Sequence, residues 1–113
     1  MVAPGDGIPG AELVAAGVEA LRRGELSIEA LLVAVGAPRL RSLGIPVPDD
    51  GRLPHHPELA LYHAVGQRYP DDAHSRYNAL IRRLVSFEHE LERRRYSATK
   101  RPTQAGSSGM KRN

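Results

Sequence analysis

The sequence predicts an all-α protein, a small helical domain of three to five helices that ends in one long C-terminal helix. Apolar residues recur at three- and four-residue spacing in several segments, and no alternating run of β-branched residues indicates a strand. The composition, 41% hydrophobic and 26% charged over 113 residues, is that of one globular domain. Cysteine is absent, which excludes disulfides, thiolate metal sites and cysteine nucleophiles.

The first predicted helix follows a short segment rich in Gly and Pro. Residues 1–10 hold two Pro and three Gly, so we expect a flexible N-terminus there. A helix over residues 11–23 has one apolar face. Its positions are Leu13, Val14, Gly17, Val18 and Leu21. Gly24 is placed to end this helix, because glycine adopts the left-handed conformation at little cost.

The second predicted helix has both a start signal and an end signal. Ser27 is a good N-cap, because its hydroxyl can accept a hydrogen bond from a first-turn N–H group. Gly36 ends the helix, and a further short turn of helix is expected over residues 39–43. Residues 44–57 contain four Pro, so no regular helix passes through them. We expect either a packed loop or a functional one.

The last two predicted helices are separated by a proline. Pro57 suits the first position of a helix over about residues 58–69. Its apolar positions are Leu59, Tyr62, Val65 and Tyr69. The final helix, over about 73–96, has an apolar stripe that alternates by three and four residues. The stripe consists of Tyr77, Leu80, Leu84, Phe87 and Leu91. Residues 11–96 are therefore expected to form a single helical domain, and the polar, basic residues 97–113 a disordered tail.

The small size of this domain suggests a partner chain. About 85 ordered residues bury only a modest core, and a 24-residue helix is about 36 Å long. We expect the short helices to leave the distal stripe uncovered, and a homodimer to cover it through a two-fold contact. Alternatively, helices 11–23 and 58–69 pack onto it within one chain. The predicted partner-binding residues are Leu84, Phe87, Leu91, Tyr62 and Tyr69. Loop 44–57 is a further candidate surface.

Charge is distributed unevenly along the chain. Residues 1–92 contain nine Arg and 13 Asp or Glu, a net charge of −4. Residues 93–113 contain seven Lys or Arg and no acid, a net charge of +7. A basic end of this kind can neutralise phosphates and bind nucleic acid without sequence specificity. The candidate contacts are Arg93, Arg94, Arg95, Lys100 and Arg101.

Residues 27–47 have the outline of a helix-turn-helix. Gly36 would form the turn, and Arg39 and Arg41 would lead a recognition helix into the major groove of DNA. Pro46 limits that second helix to about two turns, and an acidic body weakens the case for a DNA-reading face. A DNA-binding transcriptional regulator is therefore the alternative function.

Four histidines are candidate metal ligands, namely His55, His56, His63 and His74. Zinc requires three or four converging ligands, and Asp71 or Asp72 could supply one of them. The adjacent His55 and His56 point apart in regular backbone, and the other two lie on different predicted helices. We therefore expect no metal and no other cofactor.

The last predicted helix carries Arg83 and His89, separated by five residues. An arginine can stabilise the charge on a phosphorane, and a histidine can move a proton during phosphodiester cleavage. The pair resembles the Arg-x(4–6)-His signature of the HEPN ribonucleases over seven residues. The resemblance implies a helical ribonuclease as a second alternative. An exposed face of ion pairs with Glu88, Glu90 and Glu92 would explain the same residues structurally.

The sequence predicts binding rather than chemistry. No Ser-His-Asp pattern, Gly-rich phosphate loop or paired-carboxylate site is readable in it. We expect a non-enzymatic regulatory or adaptor module that binds a protein partner and itself. No stretch of about 18 apolar residues occurs, and the first residues lack the features of a secretory signal. We therefore expect no membrane contact and a cytoplasmic location.

Overall fold

A computed structural model describes residues 7–48 and 53–105, with side chains for residues 7–48 and 53–96. This part of the chain forms five helices and no strand. They are α1 (Ala11–Arg22), α2 (Ile28–Val35), α3 (Ala37–Ser42), α4 (Pro57–Arg68) and α5 (Ala73–Ala105). The predicted all-α class with a long C-terminal helix is confirmed. Among the described residues, no helix combines the length and the apolar character that crossing a bilayer requires.

The helix ends follow the local signals in the sequence. The Oγ of Ser27 accepts a hydrogen bond from the N–H of Ala30 at 3.1 Å, as an N-cap does. Gly24 follows α1 with a φ of 75°, in the left-handed region that favours glycine. Pro57 is the first residue of α4. Gly36 alone separates α2 from α3, so these two short helices turn sharply into each other.

Helix α2 lies at the centre of the core. Its residues 30–34 are all buried, and α1, α4 and α5 each pack against it. The approach of α1 is close, because a Cβ atom on Gly17 would collide with the carbonyl oxygen of Glu29 and the side chain of Val33. A helix that is apolar on every side is typical of a core position. The pair of α1 and α2 therefore forms the centre of the fold.

The apolar stripe of α5 completes this core. Leu84, Phe87 and Leu91 are all buried, and Phe87 is only 1% exposed. The prediction that they form an exposed partner surface is therefore wrong. The stripe is covered by the turn before α1 and by the α2–α3 junction. A Cβ on Gly10 would lie 3.7 Å from the Cβ of Phe87, and one on Gly36 would lie 3.1 Å from a Leu84 methyl group.

Two segments predicted as loops also contribute to the core. Ile8 is buried, so residues 7–10 are packed where we expected a flexible lead-in. Residues 1–6 lie outside the described part of the chain. Ile45 and Val47 are likewise buried, and the guanidinium of Arg41 donates to the carbonyl of Val47 at 3.0 Å. The described first part of loop 44–57 is therefore a packed strap, and residues 49–52 lie outside the description.

Helix α5 continues nine residues beyond its predicted end at 96. Once a helix exists, adding a residue costs far less than nucleating a new helix. Residues 97–101 contain Ala, Lys and Arg, which are good helix formers, and the helix then passes through Pro102, which lacks the N–H group of a helical hydrogen bond. The predicted disordered tail therefore overlaps a helix up to Ala105. Residues 106–113 lie outside the described part of the chain.

Candidate functional site

The two tyrosines predicted as partner contacts occupy different environments. Tyr62 is 41% exposed, and its ring packs edge-to-face against Tyr77 with the ring centroids 5.2 Å apart. Tyr69 is half-buried, and the guanidinium carbon of Arg76 lies 3.9 Å from its ring centroid. Of the five predicted partner residues, Tyr62 is therefore the one with an exposed ring on an outer surface.

The outer side of α4 carries the most exposed large hydrophobic residue among those described. Leu59 is 67% exposed and lies one turn from Tyr62. The predicted apolar stripe of α4 contains both residues together with Val65. Of these three, only Val65 is buried, and the second buried residue of α4 is Leu61. The pair Leu61 and Val65, four residues apart, was the signal for the buried face.

A shallow groove of about 520 Å³ runs beside Leu59. It is lined by Pro54, His55, His56, Leu59, Ala60, His63, Ala64 and Gln67. Among the described residues, no Asp, Glu, Lys or Arg lines it, although such residues make up 26% of the chain. This surface is therefore one from which water can be removed without desolvating a carboxylate, an ammonium or a guanidinium group.

The arginines of the predicted recognition helix make contacts within the chain. Arg39 forms ion pairs with Glu88, at 3.9 Å, and with Glu92, both on α5. Arg41 donates to the backbone of the strap, including the carbonyl of Pro48 at 2.8 Å. Helix α3 has only six residues. Both arginines thus hold elements of this chain together, and α3 presents less than two full turns to any groove.

The arginines near the end of α5 also have neighbours in the chain. Arg93 and Arg94 both approach Glu90, at 2.7 and 3.9 Å. The guanidinium of Arg95 lies against Gly44, where a Cβ atom would meet its Nη1 at 2.7 Å. Lys100 and Arg101 lie on α5, and their side chains are outside the described part of the structure. Part of the basic charge is therefore balanced locally.

The histidines do not converge. His55, His56 and His63 line the groove beside Leu59. His74 instead lies within 3.2 Å of the side-chain amide of Asn78, and Asp72 pairs with Arg76. Among the described residues, no three His, Asp or Glu side chains come close enough together to hold a metal ion.

The structure does not bring Arg83 and His89 together. Arg83 approaches Glu12 of α1, with 3.6 Å between Nη2 and Oε2. Six residues along a helix place two side chains about 120° apart around its axis. The ribonuclease implied by the resemblance to the HEPN signature stays a prediction, and Arg83 has Glu12 as its described partner.

Glu88 is the one charged side chain that the described part of the structure buries. It lies against the α2–α3 junction, where a Cβ on Gly36 would be 2.6 Å from its Oε2. Burial raises the pKa of the Glu88 carboxyl, and the positive charges of Arg39 and His89 offset part of this shift. The sequence suggested an exposed ion-pair face for Glu88. However, Glu88 lies four residues after Leu84 and three before Leu91, which is the spacing of the apolar stripe.

A second, larger groove is rich in arginine. It has a volume of about 640 Å³ and lies where α2 begins, α4 ends and α5 passes both. The lining includes Arg68, Tyr69, Ser75, Arg76, Leu80 and Arg83. This groove could not be predicted from the sequence, because its arginines lie on two different helices.

No protein-family model, no curated protein and no solved structure matches this chain.

Proposed function

We propose that this chain is a non-enzymatic protein-interaction module that pairs with a second copy of itself through the α4 face. The α4 face comprises Leu59, Tyr62 and the groove beside them. One observation supports this proposal above all, namely that a 67% exposed leucine borders a groove whose described lining contains no Asp, Glu, Lys or Arg. Large exposed apolar residues that cluster on one surface are typical of interaction sites.

The shape of the α4 face suits a two-fold contact. Leu59 projects from the surface, and the small residues Ala60 and Ala64 line the groove next to it. In an antiparallel pairing of two α4 helices, Leu59 of each copy would enter the groove of the other. Among the described lining residues, no Asp, Glu, Lys or Arg would then face its own symmetry mate, so no like-charge pair of these residues would oppose the contact.

The proposed surface differs from the one expected at the level of sequence. Leu84, Phe87 and Leu91 belong to the core, so the homodimer proposal now rests on α4. We do not extend it to DNA reading through residues 27–47, because Arg39 and Arg41 are engaged within the chain. Nucleic-acid contact through the basic end of α5 remains a separate prediction, as does a cytoplasmic location.

The test compares two surface leucines of similar exposure. Leu59→Asp places a carboxylate on the α4 face, and Leu26→Asp does the same at an exposed position between α1 and α2. We expect light scattering to give the mass of two chains for the wild type and Leu26→Asp, and of one chain for Leu59→Asp. Circular dichroism should show the same helix content in all three, because both leucines are exposed.

Two outcomes would contradict the proposal. The first is a wild-type chain that stays monomeric at every concentration up to its solubility limit. The second is a loss of the dimer that is equal in Leu26→Asp and Leu59→Asp, since a non-specific effect of added charge would then explain both.

A further inference from the structure

Three arginines surround the larger groove from two helices. Arg68 is at the end of α4, and Arg76 and Arg83 lie two turns apart on α5, which corresponds to about 10 Å along the helix axis. The whole of residues 1–92 carries a net charge of −4, so this concentration of guanidinium groups contrasts with the rest of the body. The one carboxylate in the groove lining is that of Glu29.

The arginines are held in place to different degrees. The Nε of Arg76 donates to the carboxylate of Asp72 at 3.1 Å, and its guanidinium stacks on Tyr69. Arg68 lies 5.6 Å from the centroid of the same ring, and no described carboxylate pairs with it. Arg83 has a loose pair with Glu12, in which both side chains are more than half exposed. The guanidinium group of Arg68 is thus available to bind an anion, and that of Arg76 is already held in one orientation by its contacts.

We propose that this groove binds a small organic molecule that carries a phosphate monoester. Guanidinium groups donate pairs of hydrogen bonds that match the oxygens of phosphate, which favours this anion over a monovalent one. Ile28, Ala79 and Leu80 supply an apolar wall for the organic part. The volume of about 640 Å³ lies within the range of small-molecule sites. The proposal is independent of the dimer proposed for the α4 face.

The surroundings of the groove favour a small ligand over a nucleic acid. A polymer needs a continuous basic track, because its affinity grows with the number of phosphates that are neutralised. Beyond the three arginines, Glu12, Glu29 and Asp72 lie close by, and their carboxylates would repel neighbouring phosphates along a strand. These three carboxylates offset the charge of the three arginines, so the groove offers directed guanidinium donors for one phosphate, with Arg68 having no described carboxylate partner, and no basic track for a row of phosphates.

The ligand site can be tested on the full chain by nuclear magnetic resonance. The ¹⁵N-labelled protein is titrated with inorganic phosphate and with phenyl phosphate, at an ionic strength held constant with sodium chloride. We expect saturable shifts centred on Tyr69, Ser75 and Arg76. Phenyl phosphate should bind at least about fivefold tighter than inorganic phosphate, because its ring contacts the apolar wall.

Four variants locate the site. Arg68→Gln and Arg76→Gln should each weaken phenyl phosphate binding by about tenfold, since each removes charge-assisted hydrogen bonds. Arg68→Gln is the cleaner change, because no described ion pair is lost with it. Glu29→Gln should tighten binding by removing the opposing charge. Arg22→Gln is the matched control, because Arg22 pairs with Glu19 on the outer side of α1 and should leave affinity unchanged.

The proposal is overturned if the shifts do not saturate, or if sodium chloride alone reproduces them. It is also overturned if the affinity is the same in Arg68→Gln, Arg76→Gln and Arg22→Gln. Shifts that centre on Arg93, Arg94 and Arg95 would assign the anion to the basic end of α5 and would equally rule out the groove.

Discussion

Helices α2 and α4 pack against each other, yet they bury very different fractions of their residues. Helix α2 has eight residues and buries five consecutive ones, whereas α4 has 12 residues and buries only Leu61 and Val65. The reason is their surroundings, because α2 is packed against α1, α4 and α5, and α4 lies on the outside of this group. Within this fold, α2 therefore contributes mainly to the core, and α4 keeps most of its surface exposed.

Two leucines illustrate the same difference. Leu32 on α2 is 1% exposed, and Leu59 on α4 is 67% exposed. The side chains are chemically identical, so any difference in their contribution to stability comes from position around the helix and from what packs against it. Substitutions at buried and exposed positions should therefore change the free energy of unfolding by very different amounts.

The largest effect is expected from Leu32→Ala. Removing a fully buried leucine side chain leaves a cavity and typically lowers the free energy of unfolding by about 2–5 kcal/mol. Leu59→Ala should change it by less than about 0.5 kcal/mol at a dilution where the chain is monomeric. Urea unfolding followed by circular dichroism measures both values. Equal losses in the two variants would break the contrast between α2 and α4.

Two glycine-to-alanine substitutions should change the free energy of unfolding in opposite directions. Gly17→Ala forces α1 away from the backbone of α2 at Glu29 and should cost about 1–3 kcal/mol, as overpacking does. In α4 the corresponding change is Gly66→Ala, whose new Cβ would meet its nearest neighbour, Ala73, at 3.9 Å, an ordinary contact. It should stabilise the chain by about 0.5–1 kcal/mol through helix propensity. Thermal unfolding distinguishes the two, and a gain in Gly17→Ala would disprove the close approach.

The smallest effect is expected from Glu88→Gln on α5, where the side chain faces the α2–α3 junction. Because burial raises the pKa of Glu88 above 4.5, the folded chain holds this proton more tightly than the unfolded chain. Stability should therefore fall as pH rises from about 4.5 through the raised pKa, and this fall should be absent in Glu88→Gln.

At neutral pH the Glu88→Gln variant should be more stable by up to about 1 kcal/mol, because a desolvated charge is removed together with only a weak pair to Arg39. Unfolding free energies measured from pH 4 to 8 for both chains test this. A variant whose pH profile follows the wild type would show that Glu88 is solvated. Glu92→Gln is the control, because Glu92 pairs with the same Arg39 from an exposed position.

Most of the local structure could be predicted because its signals lie within a few residues. The cap at Ser27, the left-handed Gly24 and the first position of Pro57 depend on backbone groups that are close in sequence. The end of α5 was harder to predict, since extension of a long helix needs no local signal. Neither groove was foreseen, because each depends on which side of a helix faces its neighbours.

The burial of Leu84, Phe87 and Leu91 could not be predicted from the sequence. Their spacing correctly predicted an apolar face, but it carried no information on what covers that face. Part of the cover comes from the close approach at Gly36, which has no side chain and therefore adds nothing to a hydrophobic pattern, and α2 and α4 also pack against α5. For the same reason, Glu88 was not recognised as a buried charge.

The helical class, the approximate ends of most helices and the separation of charge between body and C-terminus can be read from the amino-acid sequence. These properties follow from short-range hydrogen bonding, periodicity and composition. The internal position of the α5 stripe, the exposure of Leu59 and the meeting of three arginines in one groove depend on how the helices pack. Such assignments depend on contacts between residues far apart in the chain, and each helix alone would tolerate either arrangement.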